Sequence, residues 1–85
     1  MEQTVTRWWV EIYLSEVDGH THAEARLQTG VEPPLTAVGT ARLSERDPVD
    51  VAEIGFELAA ARAMRALADA LLETAEGDVE AVNSP

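Results

Sequence analysis

The 85-residue chain carries a formal net charge of -10 and contains no cysteine, which excludes a disulfide framework and a thiolate zinc site. Its six basic residues are arginines scattered along the sequence, so no basic patch for duplex nucleic acid or an anionic membrane is visible. The N-terminus lacks the pattern of a signal peptide, and no apolar run approaches the roughly 20 residues that span a bilayer. We therefore expect one cytoplasmic domain over residues 1–85, with neither nucleic acid nor membrane as partner.

The first half of the chain predicts two paired strands. Residues from about 4 to 16 alternate, so that one side carries Trp8, Val10, Ile12 and Leu14 and the other Arg7, Trp9, Glu11 and Tyr13. Asp18-Gly19 is typical of a tight hairpin turn, because both positions tolerate positive φ angles. Alternation then resumes over residues 20–29, which predicts a second strand antiparallel to the first.

A third strand is predicted over about residues 35–43, after a loop that contains two consecutive prolines, Pro33 and Pro34. The residues of this strand are small. Gly39 and Ala41 lie on the same side as Leu43, and they would let a helix lie close to the sheet.

A long helix is predicted over about residues 51–75. Asp50 and Glu53 form a capping box at its start, and Val49 and Ile54 lie where a hydrophobic staple would close over that box. Gly77 is expected to end the helix in a left-handed conformation, followed by a short helical turn at about residues 78–82. The complete prediction is an α+β fold in which a three-stranded antiparallel meander packs on one long C-terminal helix.

The predicted helix is apolar on two sides. We expect the side with the larger residues to cover the sheet; its members are Ile54, Leu58, Ala61, Met64, Ala68, Leu71 and Leu72. The other side is rich in alanine, with members Ala52, Phe56, Ala59, Ala63, Ala66, Leu67 and Ala70. This alanine stripe is predicted either to bind a partner, anchored by Phe56 and Leu67, or to be exposed with alanine present for helix propensity alone.

The sheet is predicted to have one uncovered face, because a single helix covers only the other. The alternation puts Trp9 and Tyr13 on the uncovered face, where aromatic residues beside arginines resemble the composition of binding hot spots. A register offset by one residue would instead bury Trp9 and expose Trp8. The predicted interaction surface therefore consists of Trp9, Tyr13, Phe56 and Leu67.

Several segments together resemble a known family of short, uncharacterised actinobacterial proteins, classed as a domain of unknown function and likened in fold to double-stranded-RNA-binding domains. These segments are Ala25-Arg26-Leu27-Gln28-Thr29-Gly30, Gly39-Thr40-Ala41-Arg42-Leu43, Glu53-Ile54-Gly55, Glu57-Leu58-Ala59 and Glu80-Ala81-Val82. The resemblance implies a β-β-β-α fold without the first helix of the RNA-binding domain. It does not imply RNA binding, because Asp47, Asp50, Glu53 and Glu57 occupy the region where that domain carries a basic cluster.

The sequence contains little that points to catalysis or to a cofactor. His20 and His22 would lie on one face of the second strand, with Glu24 and Glu11 near them, but this spacing is unspecific and we assign no metal site. No serine lies in a nucleophile-elbow pattern and no glycine-rich phosphate loop is present. We therefore predict no catalytic residue and no cofactor.

Three hypotheses for function follow from the sequence. The first is a non-enzymatic interaction module that forms a homo-oligomer or binds another protein through the uncovered sheet face or the alanine stripe. The second is binding of a small ligand or divalent metal through His20 and His22. The third, which the charge disfavours, is nucleic-acid binding by analogy of fold.

Overall fold

The structure, a computed structural model, describes residues 2–42 and 52–84. Within them the chain forms β1 (Trp9–Val17), β2 (His20–Gln28), β3 (Leu35–Arg42) and α1 (Ala52–Asn83). The three strands form one antiparallel sheet in the order β1-β2-β3. The predicted α+β fold, a meander followed by a long helix, is confirmed. Four predicted positions lie outside the described residues: the strand end at Leu43, the staple residue Val49, the cap Asp50 and the helix start at Val51.

The hairpin between β1 and β2 has the predicted turn. Asp18 and Gly19 both have positive φ angles, 50° and 76°, and Val17 pairs with His20 on either side of them. This geometry matches the right-handed twist of the two strands. At the other end of the hairpin Trp9 pairs with Gln28, so the predicted strand residues before Trp9 have no partner in β2, and β1 starts later than predicted.

The helix is longer than predicted and continues without a break. It runs through Gly77 to Asn83, so the predicted end at about residue 75 and the separate turn at residues 78–82 are both wrong. Gly77 has no positive φ angle, unlike Gly19 and Gly30. A glycine inside a helix costs only about 1 kcal/mol relative to alanine, and the strong helix formers on both sides outweigh that cost.

The helix packs mainly on β3 and β2 and only lightly on β1. The helix approaches the sheet closely at Gly39 of β3, where an added Cβ atom would collide with the backbone of Ala59 and Ala63 and would lie 2.8 Å from the carbonyl carbon of Arg62. The prediction that small residues of β3 admit a close helix is therefore confirmed.

The side of the helix that covers the sheet is the opposite of the predicted one. Its buried members are Gly55, Ala59, Ala63 and Leu67, which belong to or flank the alanine stripe. Of the side predicted to cover the sheet, only Leu71 packs against the core, while Ile54, Leu58, Met64 and Leu72 are exposed. The reason is distance, because next to Gly39 the helix is so close to β3 that alanine fits at positions 59 and 63 but leucine or methionine would not.

The resulting core is made of small side chains. Its apolar members are Ala23, Ala25, Leu27, Ala41, Ala59, Ala63 and Leu67, and all but two are alanines. Among the described residues no large side chain is fully buried. The molecule is elongated, with a radius of gyration of 17.1 Å and a longest dimension of 57 Å. A compact chain of this length would have a radius of about 12 Å.

Candidate interaction surfaces

The uncovered side of the sheet, which we call the open sheet face, consists of the outward residues Trp9, Glu11, Tyr13, Ser15, Val17, His20, His22, Glu24, Arg26, Gln28, Thr36, Val38, Thr40 and Arg42. Trp9 and Tyr13 point outward as predicted and are 50% and 49% exposed. Trp8 is also 50% exposed, so neither tryptophan is buried. The alternative register, with Trp9 in the core, is therefore wrong.

Hydrogen bonds tie the aromatic residues of this face to one carboxylate. The Tyr13 hydroxyl donates to Glu11 Oε2 at 2.7 Å, and the Trp9 indole N–H donates to Glu11 Oε1 at 3.4 Å. Arg26 pairs with Glu24, and its guanidinium carbon lies 4.4 Å from the centre of the Tyr13 ring. The polar groups of Trp9, Glu11, Tyr13, Glu24 and Arg26 thus bind one another, and a partner would have to match or displace these contacts.

The carboxylate at the centre of this network has a perturbed pKa. The hydrogen bond from Tyr13, and then that from Trp9, lower the pKa of Glu11 below its ordinary value, because both donors stabilise the charged form. The same hydrogen bond, together with the negative charge of Glu11, raises the pKa of Tyr13. A group with a lowered pKa stabilises the fold above its unfolded pKa and loses that contribution as pH falls through the folded pKa.

We expect Tyr13→Phe to raise the pKa of Glu11 toward the ordinary glutamate value, because the variant removes the strongest hydrogen bond to its carboxylate. An NMR titration of the side-chain carboxyl carbons would measure the change. It should run from about pH 2 to about pH 7, a range that includes the ordinary pKa of a carboxyl group. An unchanged titration of Glu11 would contradict the network.

The second exposed surface runs along the helix on the side away from the sheet. We call it the outer helix face, and its members recur with alternating spacings of four and three residues: Ile54, Leu58, Ala61, Arg65, Ala68, Leu72, Ala75, Val79 and Val82. All of them are exposed, including Leu58 at 42% and Leu72 at 61%. This spacing extends over about four heptads and is the pattern of a helix that packs along a second helix.

The two helix residues of the predicted interaction surface lie elsewhere. Leu67 is 5% exposed and belongs to the core, so its prediction as a surface residue is wrong. Phe56 is half-buried beside Gly55 and Ala59 on the sheet side of the helix. Sequence reasoning grouped the outer residues as the core face, and the signal that would have corrected this is the small size of the sheet residues opposite.

The predicted histidine pair lines a cleft at one end of the sheet. The cleft has a volume of about 500 Å³ and is lined by His20, Thr21, His22, Thr40, Ala41, Arg42 and Arg62. Arg62 is held there by a hydrogen bond from its Nη1 to the carbonyl oxygen of Thr40, 2.8 Å away. Glu24 and Glu11, the carboxylates predicted near the histidines, do not line this cleft.

Two absences concern the part of the chain that the structure describes. Within residues 2–42 and 52–84 no three residues among histidine, cysteine, aspartate and glutamate are grouped as a metal site would require. Over the same ranges, no helix combines the length and the hydrophobicity needed to cross a membrane.

Comparison with known proteins identifies the family. Residues 6–85 match the Rv2632c-like family. The chain belongs to this family. The predicted resemblance to a family of short, uncharacterised proteins is thereby confirmed. The Rv2632c-like chain is 41% identical over 81 residues to the uncharacterized protein Mb1767 of Mycobacterium bovis, an alignment that covers 95% of the chain and 84% of the relative.

A solved structure extends the comparison. The crystal structure of Rv2632c superimposes on the Rv2632c-like chain with a TM-score of 0.87 and 35% sequence identity, covering 100% of the chain and 99% of Rv2632c. Rv2632c of Mycobacterium tuberculosis is 42% identical over 74 residues, or 85% of the chain and 75% of the relative. The family relationship confirms the fold, whereas its members, described as uncharacterised, supply no activity.

Proposed function

We propose that this Rv2632c-like chain is a non-enzymatic interaction module that self-associates through the outer helix face, with a second copy of the chain as the occupant. The observation that carries the proposal is the inverted distribution of apolar side chains. The core is built almost entirely from alanine, while Ile54, Leu58, Leu72 and Val79 are exposed along one side of the helix. Burying a leucine or isoleucine contributes about 1.5–3 kcal/mol. A partner along this face would therefore bury the large apolar side chains that the alanine core does not contain.

The outer helix face is better suited than the open sheet face to bind a second copy of the chain. The open sheet face is polar and internally hydrogen-bonded, so a partner there would have to desolvate Glu11, Glu24 and Arg26. The outer helix face carries one charged residue, Arg65, among apolar ones. The helix is also long enough to support the contact, since 32 residues span about 48 Å and every helix residue from Leu72 to Asn83 is exposed.

The residue sizes favour an antiparallel pair of helices. In that arrangement Leu58 faces Ala75 of the partner subunit and Leu72 faces the partner's Ala61, so each of these leucines meets an alanine. A parallel pair in register would stack alanine on alanine and would bring Arg65 against the partner's Arg65. Like charges at the centre of an apolar contact are destabilising, so charge and packing favour the same orientation.

Replacing Leu58 and Leu72 by glutamate should convert a dimer into a monomer, because four carboxylates would then lie in the contact between the helices. Light scattering behind size exclusion, over a protein concentration series at moderate salt, measures the mass directly. The control is Trp9→Ser/Tyr13→Ser, which changes the open sheet face and should leave the dimer intact. Circular dichroism checks that both double variants are folded.

Two outcomes would contradict this proposal. The first is a wild-type protein that remains a monomer up to the highest concentration tested. The second is a dimer that persists in the helix variant and dissociates in the sheet variant. The orientation is tested in the same dimer with cysteines, since the native chain has none. Ala61→Cys mixed with Leu72→Cys should form a disulfide between subunits, whereas Ala61→Cys alone should not.

The second hypothesis from the sequence is binding of a small ligand or a divalent metal through His20 and His22. One observation supports it. Both histidines line the cleft of about 500 Å³, a size within the usual range for small-molecule sites. Nucleic acid and membranes stay outside the proposal, because a net charge of -10 opposes phosphate-bearing polymers and anionic lipid surfaces.

A further inference from the structure

The cleft that contains the histidines is positively charged on an acidic protein. The chain has six arginines, two histidines and a net charge of -10, yet both histidines and two arginines line this one cleft. No aspartate or glutamate is among the described residues that line it. Arg42 and Arg62 give the described lining a charge opposite in sign to that of the protein as a whole, which favours an anionic ligand at this position.

The basic side chains come from three elements and are held in place by the sheet register. His20 at the start of β2 pairs directly with Arg42 at the end of β3, and His22 pairs with Thr40. Arg62 reaches the same place from the helix, where it donates to the carbonyl oxygen of Thr40. That hydrogen bond uses one of the five N–H donors of the guanidinium and orients the others.

We propose that the cleft binds a phosphate group, carried by a small phosphate monoester or as free phosphate. Arginine donors match the oxygens of phosphate in pairs, while the imidazole N–H groups of His20 and His22 supply further donors. A divalent metal fits less well, because Arg42 and Arg62 would repel it and none of the described residues that line the cleft is a carboxylate. This inference rests on the small-ligand hypothesis and is independent of self-association.

The test is isothermal titration calorimetry of the full chain at low ionic strength with three probes: inorganic phosphate, ribose 5-phosphate and adenosine monophosphate. We expect saturable binding of at least one probe, weakened tenfold or more by Arg42→Gln and by Arg62→Gln. The matched control is Arg7→Gln, which removes the same charge from an exposed position ahead of β1 and should leave the affinity within about twofold. Tighter binding of the esters indicates a metabolite, and equal binding indicates free phosphate.

Three results would overturn the phosphate proposal. One is the absence of saturable heat from all three probes with folded wild-type protein. Another is an equal loss of affinity in Arg7→Gln, which would indicate attraction to net charge alone. The third is that phosphate does not bind, whereas zinc binds to the wild type and not to His20→Ala/His22→Ala. In that case the ligand of the cleft would be a cation. Repeating the titration with Leu58→Glu/Leu72→Glu separates this cleft from the dimer contact, since binding should persist in the monomer.

Discussion

Replacing Gly39 with alanine is expected to destabilise the protein by at least about 3 kcal/mol, the upper end of the usual cost of overpacking a core. The new Cβ atom would meet the backbone nitrogen of Ala63, the carbonyl oxygen of Ala59 and, at 2.8 Å, the carbonyl carbon of Arg62. Backbone atoms of a helix cannot rotate away as a side chain can. The whole helix must therefore move off β3, which also loosens its contacts with Ala41 and Ala25.

Urea unfolding followed by far-UV circular dichroism measures this effect, at one protein concentration for all variants because any dimer contributes to stability. A loss of about 3 kcal/mol is large for a chain of this size, since whole domains are stable by roughly 5–15 kcal/mol. The control is Gly77→Ala, at a position where an added Cβ meets nothing within 4 Å. That variant should stabilise the helix by about 1 kcal/mol.

A midpoint for Gly39→Ala that equals that of the wild type would mean that the helix lies farther from β3 than described. Gly39→Ser serves as a second variant, because its Cβ occupies the same position and its hydroxyl adds further volume. It should be at least as destabilising as the alanine variant.

The second large effect is expected from a comparison of two leucines on opposite sides of the helix. Leu67→Ala should cost about 2–3 kcal/mol, because Leu67 is 5% exposed and packs in the core, where truncation leaves a cavity. Leu58→Ala should cost less than about 1 kcal/mol in the monomer, because Leu58 is already 42% exposed. The two changes have the same chemistry and the same helix propensity, so the difference reports burial alone.

Unfolding at low and high protein concentration separates the two roles. The cost of Leu67→Ala should be present at both concentrations, because the core belongs to one chain. The cost of Leu58→Ala should grow at high concentration, where the outer helix face is proposed to be buried by a second copy. Equal costs for both variants at low concentration would contradict the assignment of the two helix sides.

The sequence by itself determined the order of the elements and their pairing. Alternation over residues 4–16 and 20–29 is a local signal, because side chains of a strand point to opposite faces in turn. Asp18-Gly19 determined the hairpin, and through it the register that pairs Val17 with His20 and puts Trp9 and Tyr13 on the open sheet face. The resemblance to a family was likewise accessible, because it rests on short segments of sequence.

The tertiary structure alone decided which apolar side of the helix is buried and which side remains available to a partner. Hydrophobicity ranks the side with Ile54, Leu58 and Leu72 above the alanine stripe, but burial also depends on the volume that the opposing surface leaves. The sheet presents Ala23, Ala25 and Gly39 to the helix, and opposite Gly39 the distance is so short that only small residues such as Ala59 and Ala63 fit. Periodicity indicates that the helix has two apolar sides. Which side is buried depends on how the helix packs on the sheet, and that packing joins elements that are distant in sequence.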